Sequence, residues 1–202
     1  PIGSWKTGKV TNMNYMFRRG AAFDQDISDW DVSNVTGMYA MFYGASAFNE
    51  DISDWNVSKV TNMGYMFGRP GTSPPMAFNN KGQPLNSWSV YNVIIFRGFA
   101  YQHAAFNVDI SNWNVSGAKI MEYMFEQAAA FNQNISSWNV SKVTRVRHMF
   151  RGATTFNQDL KDWDVSNEAD VTDMFTGATA MLAAPAKMPS PRCDGGVGVC
   201  YN

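Results

Sequence analysis

Four aspartates, Asp26, Asp51, Asp109 and Asp159, stand in one register, each four residues before a tryptophan, with Asn134 in the same place. Repeated carboxylates suit two chemistries. A close pair with one raised pKa would serve a hydrolase. A row of like charges on neighbouring repeats repels, and a calcium ion taking oxygen ligands would relieve that. A third use needs no chemistry, because short polar side chains bond to nearby backbone at turns. A parallel column two residues earlier, Asn49, Asn107, Asn132 and Asn157, fits that use. The glycine-rich nonapeptide of calcium-binding rolls is absent.

Other reactive residues are few. Cys193 and Cys200 bracket the stretch CDGGVGVC, whose glycines let it close as a disulfide in an oxidising compartment. Two further ligands for zinc are missing. The two histidines, His103 and His148, fall in different repeats and different columns. No nucleophile elbow, phosphate loop or dinucleotide fingerprint occurs. The sequence therefore supplies no catalytic residue, no cofactor and no metal site beyond the weak calcium candidates, and the expectation is a protein that is not an enzyme. Five sequons, at Asn34, Asn56, Asn114, Asn134 and Asn139, would accept glycans in a secreted eukaryotic chain. Most of them arise from the repeat itself.

These residues are positioned by a repeat. All seven tryptophans fall in one series, Trp5, Trp30, Trp55, Trp88, Trp113, Trp138 and Trp163, spaced by 25, 25, 33, 25, 25 and 25 residues. A fixed period of that size marks stacked coils. Three residues before each tryptophan stands an aliphatic, such as Ile27 or Leu85, and two after most of them a valine. At plus 8, 11 and 12 follows a triad such as Met38, Met41 and Phe42. That spacing is one stripe of a helix. A Gly-Ala pair, such as Gly44-Ala45, then stops the helix by a left-handed glycine. The stretch from the next phenylalanine to the tryptophan, FNQDISDW for example, reads as one rung of a parallel sheet. The expected fold class is thus a leucine-rich-repeat-like solenoid of about seven coils, each a short parallel strand plus a short helix, over residues 1–180. Trp30, Trp55, Trp88, Trp113, Trp138 and Trp163 form its buried spine, and ten of the thirteen methionines, in the triad columns, fill its core.

The string W-[DN]-V-S-x-V-T-x-M-x-x-M-F-x-G-A-x-x-F-N-x-D-I-S resembles the 25-residue repeat of bacterial and mycoplasma surface lipoproteins, and here reads WDVSNVTGMYAMFYGASAFNEDIS from Trp30. That repeat is related to the leucine-rich repeats of Bacteroides-type surface antigens and is widespread in microbial algae. The resemblance covers about residues 1–180. It implies a surface or secreted protein that adheres or binds other proteins, and it transfers no catalytic residue. The fourth coil departs from it with IIFRGFA, and the seventh with EAD for NVT.

The long spacing before Trp88 is an insertion, about residues 68–84, that holds four of the eight prolines. Proline disrupts a sheet rung, so the insertion must bulge from the surface. Arg69, Pro70, Thr72, Pro74 and Pro75 make it the candidate contact loop. Residues 181–202 lie outside the repeat and serve as tail or cap for an open end.

A formal net charge of −1 and no basic face argue against nucleic acid. No apolar run is long enough, at about eighteen residues, to span a membrane. The functional expectation is a non-enzymatic adhesion or protein-interaction module, extracellular or on a cell surface, with a protein or glycan ligand. The rival is a structural subunit of a large assembly in an organelle lumen or membrane-associated complex, held by neighbouring subunits. A carboxylate hydrolase is the remote third.

Overall fold

The computed structural model describes residues 2–71, 73–166 and 169–189. The 25-residue repeats stack as parallel coils. Six parallel bridges join Asn12, Gly37, Asn62, Ile95, Ile120, Arg145 and Asp170, each seven residues after its tryptophan.

The coil is not a strand plus a helix. Among the described residues the bridges are isolated and no strand forms. Helix is confined to α1, Thr179–Leu182, and three single 3-10 turns at Ile2–Ser4, Asn80–Gly82 and Pro185–Lys187. The leucine-rich-repeat-like solenoid expected from the spacing is overturned in both of its elements. The bridges also lie in the stretch expected to be helical, not in the Phe-to-Trp stretch.

Hydrogen bonding explains the outcome. In the second coil Met38, Ala40, Phe42 and Gly44 donate their N–H groups to Asn62, Gly64, Met66 and Gly68 of the third, at 2.7–3.0 Å. The intervening N–H groups of Met41, Tyr43 and Ala45 bond back three residues, to Met38, Ala40 and Phe42. A helix would need those groups for bonds four residues back. Instead the chain makes successive tight turns, and every second amide faces the next coil. The turns require left-handed backbone ten residues after each tryptophan, at Tyr15, Ala40, Tyr65, Gly98, Tyr123, His148 and Asp173, with φ from 52° to 61°. Only one of those residues is glycine, and each of the others costs roughly 1–2 kcal/mol in that conformation. Four inter-coil bonds, each a net ~1 kcal/mol, offset it.

The same turns bury the triad. Met38, Met41 and Phe42 are fully enclosed, as are their counterparts in the third and fifth coils. In five coils two phenylalanines stack face to face, with centroids 4.0 Å apart for Phe42 and Phe48 and 3.9 Å for Phe67 and Phe78. In the fourth coil Ala100 replaces one ring. Phe99 compensates by turning perpendicular to Phe67, Phe106 and Trp113.

The insertion has two parts. Phe78 still stacks on Phe67, so the first surplus bulges between them. The second contains Asn80, which is fully buried, accepts a bond from the Ile52 N–H at 2.8 Å and donates to the Gln83 carbonyl. At the C-terminal end α1 buries Met181, and Leu160 donates its N–H to Lys187 at 2.7 Å. The rest of the expected cap, residues 190–202, lies outside the described residues, as do Cys193 and Cys200. No described helix is long and apolar enough to cross a membrane.

Candidate functional site

The aspartate column is occupied by turns. Asp26 accepts the N–H of Ser28 at 3.0 Å and its hydroxyl at 2.7 Å. Asp51 does the same with Ser53. Asp109 accepts from the Ser111 N–H and from the Asn86 amide, and Asp159 from the Lys161 N–H. These bonds hold the carboxyls of Asp26, Asp109 and Asp159 below their usual range. At Asp26 the Ser28 hydroxyl contributes most, and at Asp159 the Lys161 N–H does. At Asp109 burial pulls upward, but the Ser111 and Asn86 bonds outweigh it. Among the described residues no three His, Cys, Asp or Glu side chains gather where they could hold a metal.

The asparagine column is a ladder. Asn107 accepts the Asn132 N–H and Asn132 the Asn157 N–H, both at 2.9 Å. The sequon residues Asn56, Asn114, Asn134 and Asn139 are exposed and cap the serine N–H two residues on. Asn34 is half-buried, donates to the Gly8 carbonyl and accepts from Lys59. The tryptophans Trp30, Trp55, Trp88, Trp113, Trp138 and Trp163 are buried, and five of them donate Nε1 to a carbonyl of the preceding coil, as Trp113 does to Leu85 at 2.8 Å. In the contact loop, Arg69 donates Nε to the Ser73 and Pro74 carbonyls. Pro70 packs against Gly44, Pro74 and Pro75 are exposed, and Thr72 lies outside the described residues.

Beside that loop lies a feature that the constant columns of the repeat do not carry. It is built from the positions nine, ten and thirteen after the tryptophan. Tyr15, Arg18, Tyr39, Ala40, Tyr43, Tyr65 and Tyr101 meet there around a groove of about 590 Å³. The rings form a herringbone. Tyr15 and Tyr39 have centroids 5.2 Å apart, and Tyr65 lies 6.0 Å from both Tyr39 and Tyr43 and 5.8 Å from Tyr101, with interplanar angles of 75–87°. Arg18 lies 5.6 Å from the Tyr15 ring and 5.7 Å from the Tyr43 ring, close enough for cation–π attraction.

Glycines seat these rings. A Cβ on Gly98 would fall 2.4 Å from the Tyr65 ring, and one on Gly64 or Gly68 3.0 Å from Tyr39 or Tyr43. Burial raises the Tyr39 and Tyr101 hydroxyl pKa and pushes Tyr65 up to about 12. All three therefore stay neutral hydrogen-bond donors at neutral pH.

The face changes character along the stack. In the later coils Arg97 pairs with Glu122 and Arg151 with Glu126 at 3.4 Å, and His148 lies 3.8 Å from Asp173, whereas Arg147 lies 5.3 Å from the Tyr123 ring. The sequence held a signal for this face. Six of the eight tyrosines, Tyr15, Tyr39, Tyr43, Tyr65, Tyr101 and Tyr123, occupy the three columns nine, ten and thirteen after the tryptophan, where Ala40 is the one buried hydrophobic residue among the described residues.

A family model described as "Mycoplasma protein of unknown function, DUF285" matches residues 1–72 and 75–187. No curated protein and no solved structure matches the chain.

Proposed function

The chain belongs to the DUF285 family of Mycoplasma proteins of unknown function, and from that premise we propose that it is a non-enzymatic interaction module that adheres to a partner through its tyrosine-lined face. One observation carries the reading: five tyrosines and an arginine converge on one open groove, at positions the hydrophobic core does not use. Tyrosine and arginine dominate binding hot spots, because they give large contact area with a polar tip. Glycines beneath the rings hold them in place before any partner arrives, which lowers the entropic cost of binding. A cell-surface or extracellular setting belongs to the same proposal. So does the kinship of the repeat to those of surface lipoproteins and Bacteroides-type antigens, as a likeness of sequence and not of coil geometry.

The test is a displayed random-peptide selection on the immobilised chain, run beside a Tyr43→Ala/Tyr65→Ala variant checked for its native melt. Selected peptides should hold the wild type and lose at least about tenfold in affinity on the variant, about 1.4 kcal/mol. Binders indifferent to the change would refute the assignment. Binders lost instead on Trp5→Ala, a residue 54% exposed on the first coil, would favour the structural-subunit reading.

A further inference from the structure

The tyrosine groove has a charge that its own coils do not neutralise. In the first three coils the stretches that build this side are residues 9–20, 34–45 and 59–70. They contain five basic residues, Lys9, Arg18, Arg19, Lys59 and Arg69, and no aspartate or glutamate. In the later coils the same stretches carry the carboxylates that pair Arg97 and Arg151. Arg18 lines the groove itself. Arg19 and Arg69 stand in the next column, where a Cβ on Gly44 would lie 3.6 Å from Arg19 and 3.0 Å from Pro70. Among the described residues none of these three arginines has a carboxylate partner.

We infer that the groove binds a short extended acidic peptide, with apolar side chains seated among the tyrosines and carboxylates held by Arg18 and its neighbours. The inference rests on the interaction reading above and adds the chemical class of the partner. Guanidinium groups pair with carboxylates through charge-assisted bonds, and Arg18 is held over Tyr15 and Tyr43 before it meets one. The neutral hydroxyls of Tyr39, Tyr65 and Tyr101 supply further donors to peptide carbonyls. Ring geometry favours a peptide over a carbohydrate. Neighbouring rings cross at 75–87°, so they offer edges and slots rather than a flat platform for a sugar face.

Length follows from the stack. Tyr15 to Tyr101 spans four coils, about 14 Å at roughly 4.8 Å per coil, which matches four to five residues of extended peptide. Arg18 and Arg69 are two coils apart, about 10 Å, so carboxylates three residues apart fit them. Proline between the two acids would keep the peptide extended at low entropic cost.

The experiment uses three fluorescent synthetic peptides identical but for a central Glu-Pro-Pro-Glu, Gln-Pro-Pro-Gln or Lys-Pro-Pro-Lys, titrated by anisotropy with the full chain. The acidic peptide should bind, the neutral one at least about tenfold more weakly and the basic one not measurably. Affinity should fall as salt rises. Arg18→Gln should cost about tenfold for the acidic peptide and little for the neutral one, which separates lost charge from misfolding. Equal binding of the acidic and neutral peptides would overturn the acidic assignment. A heparin fragment that binds more tightly than the acidic peptide, and equally well to Tyr43→Ala/Tyr65→Ala, would make this an anion surface and overturn the peptide. If none of the three binds while display-selected peptides of other composition do, the acidic inference fails and the interaction reading survives. If nothing binds at the groove in either experiment, both fail.

Discussion

His103 should make the protein's stability fall with acid between about pH 6.5 and pH 4. The ring is fully buried, and neither nitrogen makes a hydrogen bond of good geometry, the backbone of Phe78 and of His103 itself offering only weak ones. It stands where four other coils place alanine, at Ala45, Ala128, Ala153 and Ala178. Burial lowers its pKa from 6.5 to about 4, the backbone of Phe78 offsetting this only in part. A depressed pKa means that the unfolded chain takes up the proton first. The stability is therefore present above pH 6.5 and is lost as pH falls towards 4. At 1.36 kcal/mol per unit, that shift is worth about 3 kcal/mol. The assay is urea unfolding followed by tryptophan fluorescence at a series of pH values, for wild type and His103→Leu. The aspartates held below 3.8, such as Asp26 and Asp109, act beneath this window, and Glu126, raised by burial, acts in the opposite sense. Both contributions cancel in the difference between the two proteins. The variant should therefore gain about 3 kcal/mol over the wild type between neutral pH and pH 4. At neutral pH His103→Leu should be neutral or slightly stabilising, since it removes two unsatisfied buried polar atoms. Parallel curves for the two proteins would show that the imidazole is hydrated or bonded, and would refute the reasoning.

Three further outcomes follow from the coil geometry. Gly98→Ala places a Cβ 2.4 Å from the Tyr65 ring at φ 59°, and should cost about 2 kcal/mol in thermal unfolding with loss of groove binding. Trp113→Phe removes the 2.8 Å bond to Leu85 and stacking at 6.2 Å on Trp88 and 6.4 Å on Trp138, and should cost about 2–4 kcal/mol by urea unfolding. Raised tyrosine pKa values make stability present below pH 10 and lost as pH rises through about 12, the value for Tyr65; Tyr65→Phe should flatten that alkaline loss, monitored by far-ultraviolet circular dichroism.

What the sequence made legible was the inside of the coil. Trp55, Met63, Met66 and Phe67 recur because a stacked coil must place apolar groups at fixed points, and residue type reports burial directly. The local backbone was not legible, for two reasons. Spacing of three and four is shared by a helix and by successive three-residue turns, so Met38, Met41 and Phe42 fit both. The sign of φ is not written in residue type either. The left-handed column holds tyrosine, alanine, glycine, histidine and aspartate, and only Gly98 hints at it. The glycine of the Gly-Ala pair does take a left-handed conformation, with φ 70–74° at Gly44, Gly152 and Gly177. It closes a ladder of turns, however, and not a helix. The groove was missed because attention to a repeat favours what is constant, whereas Tyr39, Gly64 and Arg97 share one column and differ in each coil.

That difference between columns ties the fold to its proposed use. In the turn ladder the backbone supplies the inter-coil bonds and the inner columns supply the burial. The positions nine, ten and thirteen after the tryptophan carry little of the apolar core. They are free to vary, and the chain uses the freedom in two ways. In the first three coils they hold no acid; from the fourth coil on most of their charges pair, Arg97 with Glu122 and Arg151 with Glu126, while Arg147 lies over Tyr123. Each pair joins a half-exposed arginine to a buried glutamate and leaves that part of the face electrostatically closed. The unpaired arginines beside stacked tyrosines leave the first part open. A helix in the same place would have sent its polar stripe outward at a pitch unrelated to the stack. The turn ladder instead aligns each outward column with its neighbours about 4.8 Å away, so that tyrosines from successive coils come together into one groove.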